Sequence, residues 1–180
     1  QGLEDSAAQL VICDEARFGF IRETGLSVTT LLVDAAQAGL ADHDWSVALS
    51  ADMQHTPVAA APDDPAILLF TSGTAGRPKG ALFTHANACQ SLMNIELIGA
   101  ATYMTNTDAM NRQMGSGIPA KTLLAVPLFH ISGLFSQFII NLRHGRGLYL
   151  MYKWDADEAL KLVRESGITV LMGAPTMLLD

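Results

Sequence analysis

The densest chemistry in the sequence lies in Thr71-Ser72-Gly73-Thr74-Ala75-Gly76-Arg77-Pro78-Lys79-Gly80. Gly73 and Gly76 permit positive φ and let backbone N–H groups approach a ligand closely. Successive N–H groups in such a turn form a concavity that binds an anion. Thr71, Ser72 and Thr74 add neutral hydroxyl donors. Lys79 adds a mobile point charge suited to phosphate oxygens. Pro78 stiffens the return of the loop. Many donors, one lysine and little bulk are what a triphosphate requires, and an ordinary surface turn has no use for the combination.

Two familiar phosphate motifs fail here. Counted from Gly73, a P-loop wants Gly at 78 and Ser or Thr at 80. Pro78 deletes an N–H which that loop uses, and Gly80 has no hydroxyl for magnesium. This argues against a P-loop hydrolase. The run Gly115-Ser116-Gly117-Ile118-Pro119-Ala120 formally fits the dinucleotide fingerprint. No strand precedes it and Pro119 interrupts it, so the match is accidental.

With its lead-in Ile67-Leu68-Leu69-Phe70 and its exit Ala81-Leu82-Phe83-Thr84-His85-Ala86-Asn87, the loop resembles the phosphate-loop signature of the adenylate-forming superfamily. One departure is Ala75, where a hydroxyl residue is usual. Val126-Pro127-Leu128-Phe129-His130-Ile131-Ser132-Gly133-Leu134 resembles the next motif of that superfamily, a strand end followed by an aromatic residue or His beside the acyl pocket. Taken alone, His130 reads as a histidine at a strand–helix junction. Gly173-Ala174-Pro175-Thr176-Met177 resembles a third strand-end turn, on the acyl-binding side.

The resemblance implies an ATP-dependent acyl-CoA synthetase acting on a fatty or other carboxylic acid. Its cofactors would be ATP, Mg2+ and coenzyme A. Thr71, Ser72, Gly73, Thr74, Gly76 and Lys79 would hold the ATP phosphates. His130 would serve the carboxylate side, and Phe129, Gly173, Ala174 and Pro175 would border the substrate pocket. The superfamily's aromatic-Gly-x-Thr-Glu motif, ribose Asp, hinge and lid lysine are not found in the sequence. The magnesium ligand is therefore expected outside this chain. The chain is expected to be a slice of the large N-terminal domain, without the C-terminal lid and inactive alone. The remainder of the parent enzyme would be its partner. Alternatives are an amino-acid-adenylating domain, or a phosphate-binding module without chemistry. The apolar neighbours of His130 favour an acyl chain over an amino acid.

These motifs need elements to hold them. Strand patterns occur at 9–13, 28–33, 66–70, 81–83, 122–126, 147–152 and 168–172. Between them, 15–24 reads as a helix stopped by Gly25. Thr84 can cap a helix over 85–99, 132–143 reads as another, and Asp155 with Glu158 starts one that runs to Gly167. Alternating strands and helices predict an α/β fold, a mostly parallel sheet with flanking helices and sites at strand carboxyl ends. The wholly apolar 66–70 run is expected to be buried on both faces. Four stretches follow: 1–60, a leading βαβ portion; 61–102, the phosphate loop and its helix; 103–121, a polar loop; and 122–180, a second βαβ portion. A short helix is expected after Asp42 or Asp44, and 56–65 reads as a linker.

The remaining polar candidates have structural readings. Asp42-His43-Asp44 reads as a solvated turn, and His55, His85 and His144 lack ligand spacing. No metal site is expected. Acidic residues at 155–158 suit a helix N-terminus. Met104, Met110 and Met114 are placed to cover an apolar surface.

Composition bounds the rest. Length alone, 180 residues, predicts about one domain. Hydrophobic residues make up 49% and charged residues 16%, against a usual charged share of about 25%. This excludes a disordered chain. The net charge of −7 disfavours broad nucleic-acid binding. Cys13 and Cys89 stand apart, which predicts buried reduced thiols and a cytoplasmic protein. No apolar run reaches the ~20 residues of a transmembrane helix.

Overall fold

The structure is a computed structural model that describes residues 1–33, 41–50, 57–73 and 76–179. The chain divides into two compact units, Gln1–Ala59 and Ala60–Asp180, where length alone predicted one. The change of unit falls in the Ala- and Pro-rich stretch around residue 60, which buries nothing of its own.

The first unit contains α1 (Gly2–Asp5), β1 (Leu10–Cys13), α2 (Glu15–Thr24), β2 (Thr29–Leu32), β3 (His43–Asp44) and α3 (Trp45–Ser50). β1, β2 and β3 form a parallel sheet in that order, with Leu10 opposite Thr29 and Leu31 opposite His43. The Asp14 carboxylate starts α2 by accepting from the Arg17 N–H at 2.9 Å. Gly25, at φ 67°, ends it. Of the expected solvated turn Asp42-His43-Asp44, Asp42 is an exposed bend, while His43 and Asp44 form β3 of the sheet. Asp42 accepts from the Thr30 N–H at 2.7 Å and from its hydroxyl at 3.0 Å. This fastens the segment beside β2.

The second unit opens with β4 (Pro65–Thr71) and β5 (Lys79–Thr84), an antiparallel hairpin with Leu68 opposite Leu82 and Thr71 opposite Lys79. The expectation that 66–70 is buried on both faces is wrong. β4 has only β5 as a partner among the described residues, and its ends are exposed. α4 (His85–Thr105) follows directly. Its capping box is complete: Thr84 Oγ1 accepts from the Asn87 N–H at 3.2 Å, and Asn87 Oδ1 accepts from the Thr84 N–H at 3.1 Å.

The predicted polar loop at 103–121 is mostly helix. α4 continues to Thr105, and α5 covers Thr107–Gly115. The hydroxyls that suggested a loop are absorbed locally. Those of Thr102, Thr105 and Thr107 donate to carbonyls one turn back, at 2.8, 3.1 and 3.2 Å. Asn106 makes the break between the helices, and the Tyr103 hydroxyl donates to Asn111 Oδ1 at 2.8 Å across it. Met104 and Met114 are exposed, whereas Met110 is half-buried.

β6 (Lys121–Leu124) is the centre of a parallel sheet ordered β7-β6-β8. From β6 the chain passes through α6 (Ile131–Gly133), a π-helical turn (Leu134–Ile139) and α7 (Ile140–Arg143) to β7 (Gly147–Leu150). α8 (Ala156–Ser166) then crosses to β8 (Val170–Met172), and a 3-10 turn (Pro175–Leu178) ends the described chain. Asp155 caps α8 by accepting from the Glu158 N–H at 2.9 Å. Leu123, Ala159 and Ile168 form the core, with Tyr149, Trp154 and Leu162 packed against it. Phe135 is buried and meets Phe83 with ring centroids 6.1 Å apart, which ties the π turn to the hairpin. The expected buried thiols are not found: Cys89 is exposed and Cys13 is only partly covered.

Candidate functional site

The hairpin fixes the two ends of the glycine and hydroxyl loop. Thr71 closes β4 and Lys79 opens β5, and the two are register partners. The Thr71 hydroxyl donates to the Lys79 carbonyl at 3.4 Å, a weak clasp across the loop's mouth. Gly73 has φ 62°, and a Cβ there would collide with the Arg77 carbonyl oxygen. The loop therefore folds back over Gly73 at a point where only glycine fits. Gly76 also has positive φ, at 75°. Ser72, Gly76 and Lys79 are exposed, and Lys79 makes no ion pair among the described residues. Its ammonium is thus available to an incoming anion. Thr74 and Ala75 lie outside the described residues.

His130 stands at the end of the segment that leaves β6. Its backbone N–H donates to the Pro127 carbonyl at 3.1 Å, and its carbonyl accepts from the Gly133 and Leu134 N–H groups at 3.0 and 2.9 Å. These bonds make it the first residue before α6. Gly133 packs so tightly that a Cβ would fall inside contact distance of the Val126 and Pro127 carbonyl oxygens. The helix start is thereby seated on the strand end, and the His130 ring lies against Phe129, 4.7 Å between centroids.

Two clefts meet at this histidine. The first, about 550 Å³, is lined by Phe70, Thr71, Ser72, Phe83, Phe129 and His130, among others. The second, about 430 Å³, is lined by Pro127, His130, Gln137, Gly173, Ala174 and Met177, among others. Thr71 and Ser72 thus share a cleft with His130 and Phe129, and Gly173 and Ala174 share another with the same histidine. Gly73, Gly76 and Lys79 do not line either cleft, and neither does Pro175, which begins the 3-10 turn. Ser132 borders both clefts, and Gln137 borders the second. Sequence reasoning passed over both. The available signal was an uncharged amide, Gln137, beside Ser136 within the otherwise apolar run Leu134-Phe135-Ser136-Gln137-Phe138-Ile139.

Both clefts are mostly apolar, with polar groups confined to the loop, His130, Ser132 and Gln137. A body of low polarity fits such walls, and a charged end fits the loop. The perturbed carboxylates lie elsewhere. Glu96 is held below the usual carboxylate range chiefly by its hydrogen bond from Arg143, at 2.7 Å, with His144 at 3.1 Å adding to it. Asp42 is held low chiefly by the Thr30 N–H. No cluster of three or more His, Cys, Asp or Glu side chains that could hold a metal occurs among the described residues. No helix among them is long and apolar enough to cross a membrane.

Parallel strands joined by crossover helices, with clefts at the strand ends, define an α/β fold. The sequence profile of the family described as AMP-binding enzyme matches residues 1–180, and the chain belongs to that family. It is similar to 2-succinylbenzoate--CoA ligase of Bacillus velezensis, 32% identical over 180 residues, covering 98% of this chain and 30% of the relative. It is also similar to 4-coumarate--CoA ligase 2 of Oryza sativa subsp. japonica, 32% identical over 136 residues, covering 75% of this chain and 22% of the relative. Among solved structures, ATP-bound MatB from Rhodopseudomonas palustris matches with a TM-score of 0.65 at 27% identity, over 97% of this chain and 31% of that one. The chain therefore spans less than a third of the length of each of these relatives.

Proposed function

We propose that the protein carrying this chain is an acid–thiol ligase that activates a carboxylic acid with ATP. In the first half-reaction, a carboxylate oxygen attacks the α-phosphorus of ATP and the bond to pyrophosphate breaks. In the second, the sulfur of coenzyme A attacks the acyl carbon and AMP leaves. Neither step needs a covalent link to the protein, so positioning and charge neutralisation carry the catalysis. The observation that carries this reading is the place of His130, which lines both the cleft shared with Thr71 and Ser72 and the cleft shared with Gly173 and Ala174. An acid in the second cleft would bring its carboxylate past His130 toward phosphates held by the loop.

The loop fits the role assigned to it. Its exposed lysine, its two positive-φ glycines and its hydroxyls suit the β- and γ-phosphates and the charge on departing pyrophosphate. Mg2+ would supply further charge neutralisation, its ligand residue lying outside this chain. Met172 and Met177 give the acid in the second cleft an apolar surround, and Phe129 lines the first cleft beside His130. Sequence alone suggested a fatty acid, whereas the names of the relatives, 4-coumarate and 2-succinylbenzoate, favour an acid built on a ring. The two cysteines are free, which suits the reducing cytoplasm as the enzyme's location.

Carboxylate-dependent ATP–pyrophosphate exchange on the full-length enzyme tests the proposal, with aryl, fatty and amino acids supplied in turn. Exchange driven by aryl or fatty acids is expected. Exchange with amino acids alone would replace this reading by amino-acid adenylation. ATP binding without exchange for any acid would leave a phosphate-binding module. The isolated 180 residues are expected to form no acyl-CoA.

A further inference from the structure

Behind the second cleft runs a polar chain that acid activation leaves unused. Thr122, Asn141 and Gln137 are 2%, 3% and 1% exposed, although the helical segment that carries the last two is largely apolar. The Thr122 hydroxyl donates to Asn141 Oδ1 at 3.1 Å, and the Asn141 amide donates to the Gln137 main-chain carbonyl. The Gln137 side chain directs its own amide hydrogens toward the Ser132 carbonyl, at 3.5 Å. That leaves Oε1, which is buried and accepts no hydrogen bond among the described residues. A buried acceptor without a donor is costly and calls for a reason. Gln137 also sits in the π-helical turn Leu134–Ile139, a local irregularity frequent at functional sites.

We propose that Gln137 determines which acids the enzyme accepts. Its Oε1 takes a hydrogen bond from a neutral donor, a hydroxyl or an amide N–H, on the body of the acid. This rests on the ligase reading and narrows its substrate to acids that carry such a donor. Gln137 lines the cleft together with Val126, Pro127, Met172 and Met177, whose side chains offer no strong donor, and the His130 and Ser132 side chains on the same cleft make no bond to Oε1. The substrate's ionised carboxylate has no proton to give, so it cannot satisfy Oε1. The carboxylate end therefore belongs toward His130 and the loop, and the donor belongs at the other end. Asn141 and Thr122 act as positioning residues that hold the turn.

The test is ATP–pyrophosphate exchange on the full-length enzyme with 3-phenylpropanoate and its 3- and 4-hydroxyphenyl analogues. At least one hydroxylated acid is expected to exceed the unsubstituted acid in kcat/KM by about tenfold. Gln137→Leu should abolish that preference by lowering kcat/KM with the hydroxylated acid far more than with the unsubstituted one. Gln137→Met, unbranched and of similar length, repeats the comparison if the leucine variant does not fold. A wild-type enzyme indifferent to every hydroxyl would overturn the proposal alone. A variant that loses both acids equally would make Gln137 merely structural and also overturn it. No exchange with any acid, amino acids included, would remove the ligase reading and this proposal together.

Discussion

In the proposed ligase Lys79 shares the positive charge of the loop with Arg77, and its exposure separates binding from folding. Lys79→Ala should lower exchange by about 100-fold, the usual scale for one lost charge-stabilising donor. Its melting temperature should stay at the wild-type value, because the ammonium makes no ion pair among the described residues. Equal loss of stability and activity would show that the lysine holds the fold instead. Asp42 behaves in the opposite way. The Thr30 N–H holds its carboxyl below the ordinary range, so the stability it contributes is present above the unfolded value, about pH 4. That stability is lost as pH falls through the lower, folded value. Asp42→Asn should flatten the acid limb of the melting temperature against pH, and an unchanged limb would assign acid sensitivity to other carboxylates.

Much of the residue scale was legible because the loop's chemistry is local. Gly73, Thr71 and Lys79 could be read as a glycine turn with an exposed cation by type and spacing alone, and the structure returns the positive φ of Gly73, the Thr71–Lys79 pairing and the exposed Lys79. Gln137 could not be read in that way, because its meaning depends on a buried amide oxygen and on a cleft whose other wall is Gly173 and Ala174, far away in sequence. The strand at His43 and Asp44 and the bond from Thr30 to Asp42 were missed for the same reason: their partner, β2, lies a dozen residues away and leaves no mark in the local pattern.

Among the elements, the segment from β6 to α6 does the most to place the site. Gly133 lets the helix start rest on the Val126 and Pro127 carbonyl oxygens. A methyl group there meets backbone on both sides, which cannot move as a flexible side chain can. Gly133→Ala should destabilise the second unit by about 1–3 kcal/mol and lower exchange by displacing His130. Thermal melts and exchange rates on the same preparation check both, and an unaffected variant would show that the helix start yields freely. Elements with explicit end signals were readable, as Asp14 with Gly25 and Asp155 with Gly167 show. β4 was misjudged because an apolar run records what a strand could bury and not how many partners it has. The 103–121 segment was misjudged because threonines count as polar in a sequence, while in α4 and α5 their hydroxyls turn back to helix carbonyls.

At the scale of the whole molecule, the low share of charge reappears as exposed apolar side chains. In the second unit Leu97, Ile98, Leu82 and Leu150 are all more than half exposed. Apolar surface on this scale marks faces that something else covers. In the proposed ligase those faces would meet the rest of the enzyme. The isolated 180 residues should therefore bind anilinonaphthalene sulfonate under native conditions and self-associate in sedimentation. A monomer that excludes the dye and unfolds in one cooperative step would contradict this.

The most direct test of acid activation is the fate of ATP itself. The full-length enzyme is incubated with ATP, Mg2+, coenzyme A and an aryl or fatty acid, and the products are followed by phosphorus NMR. AMP and pyrophosphate are expected in equal amounts, and only when the acid is present. ADP and inorganic phosphate, formed whether or not an acid is supplied, would contradict carboxylate activation and return the loop to a simple phosphohydrolase.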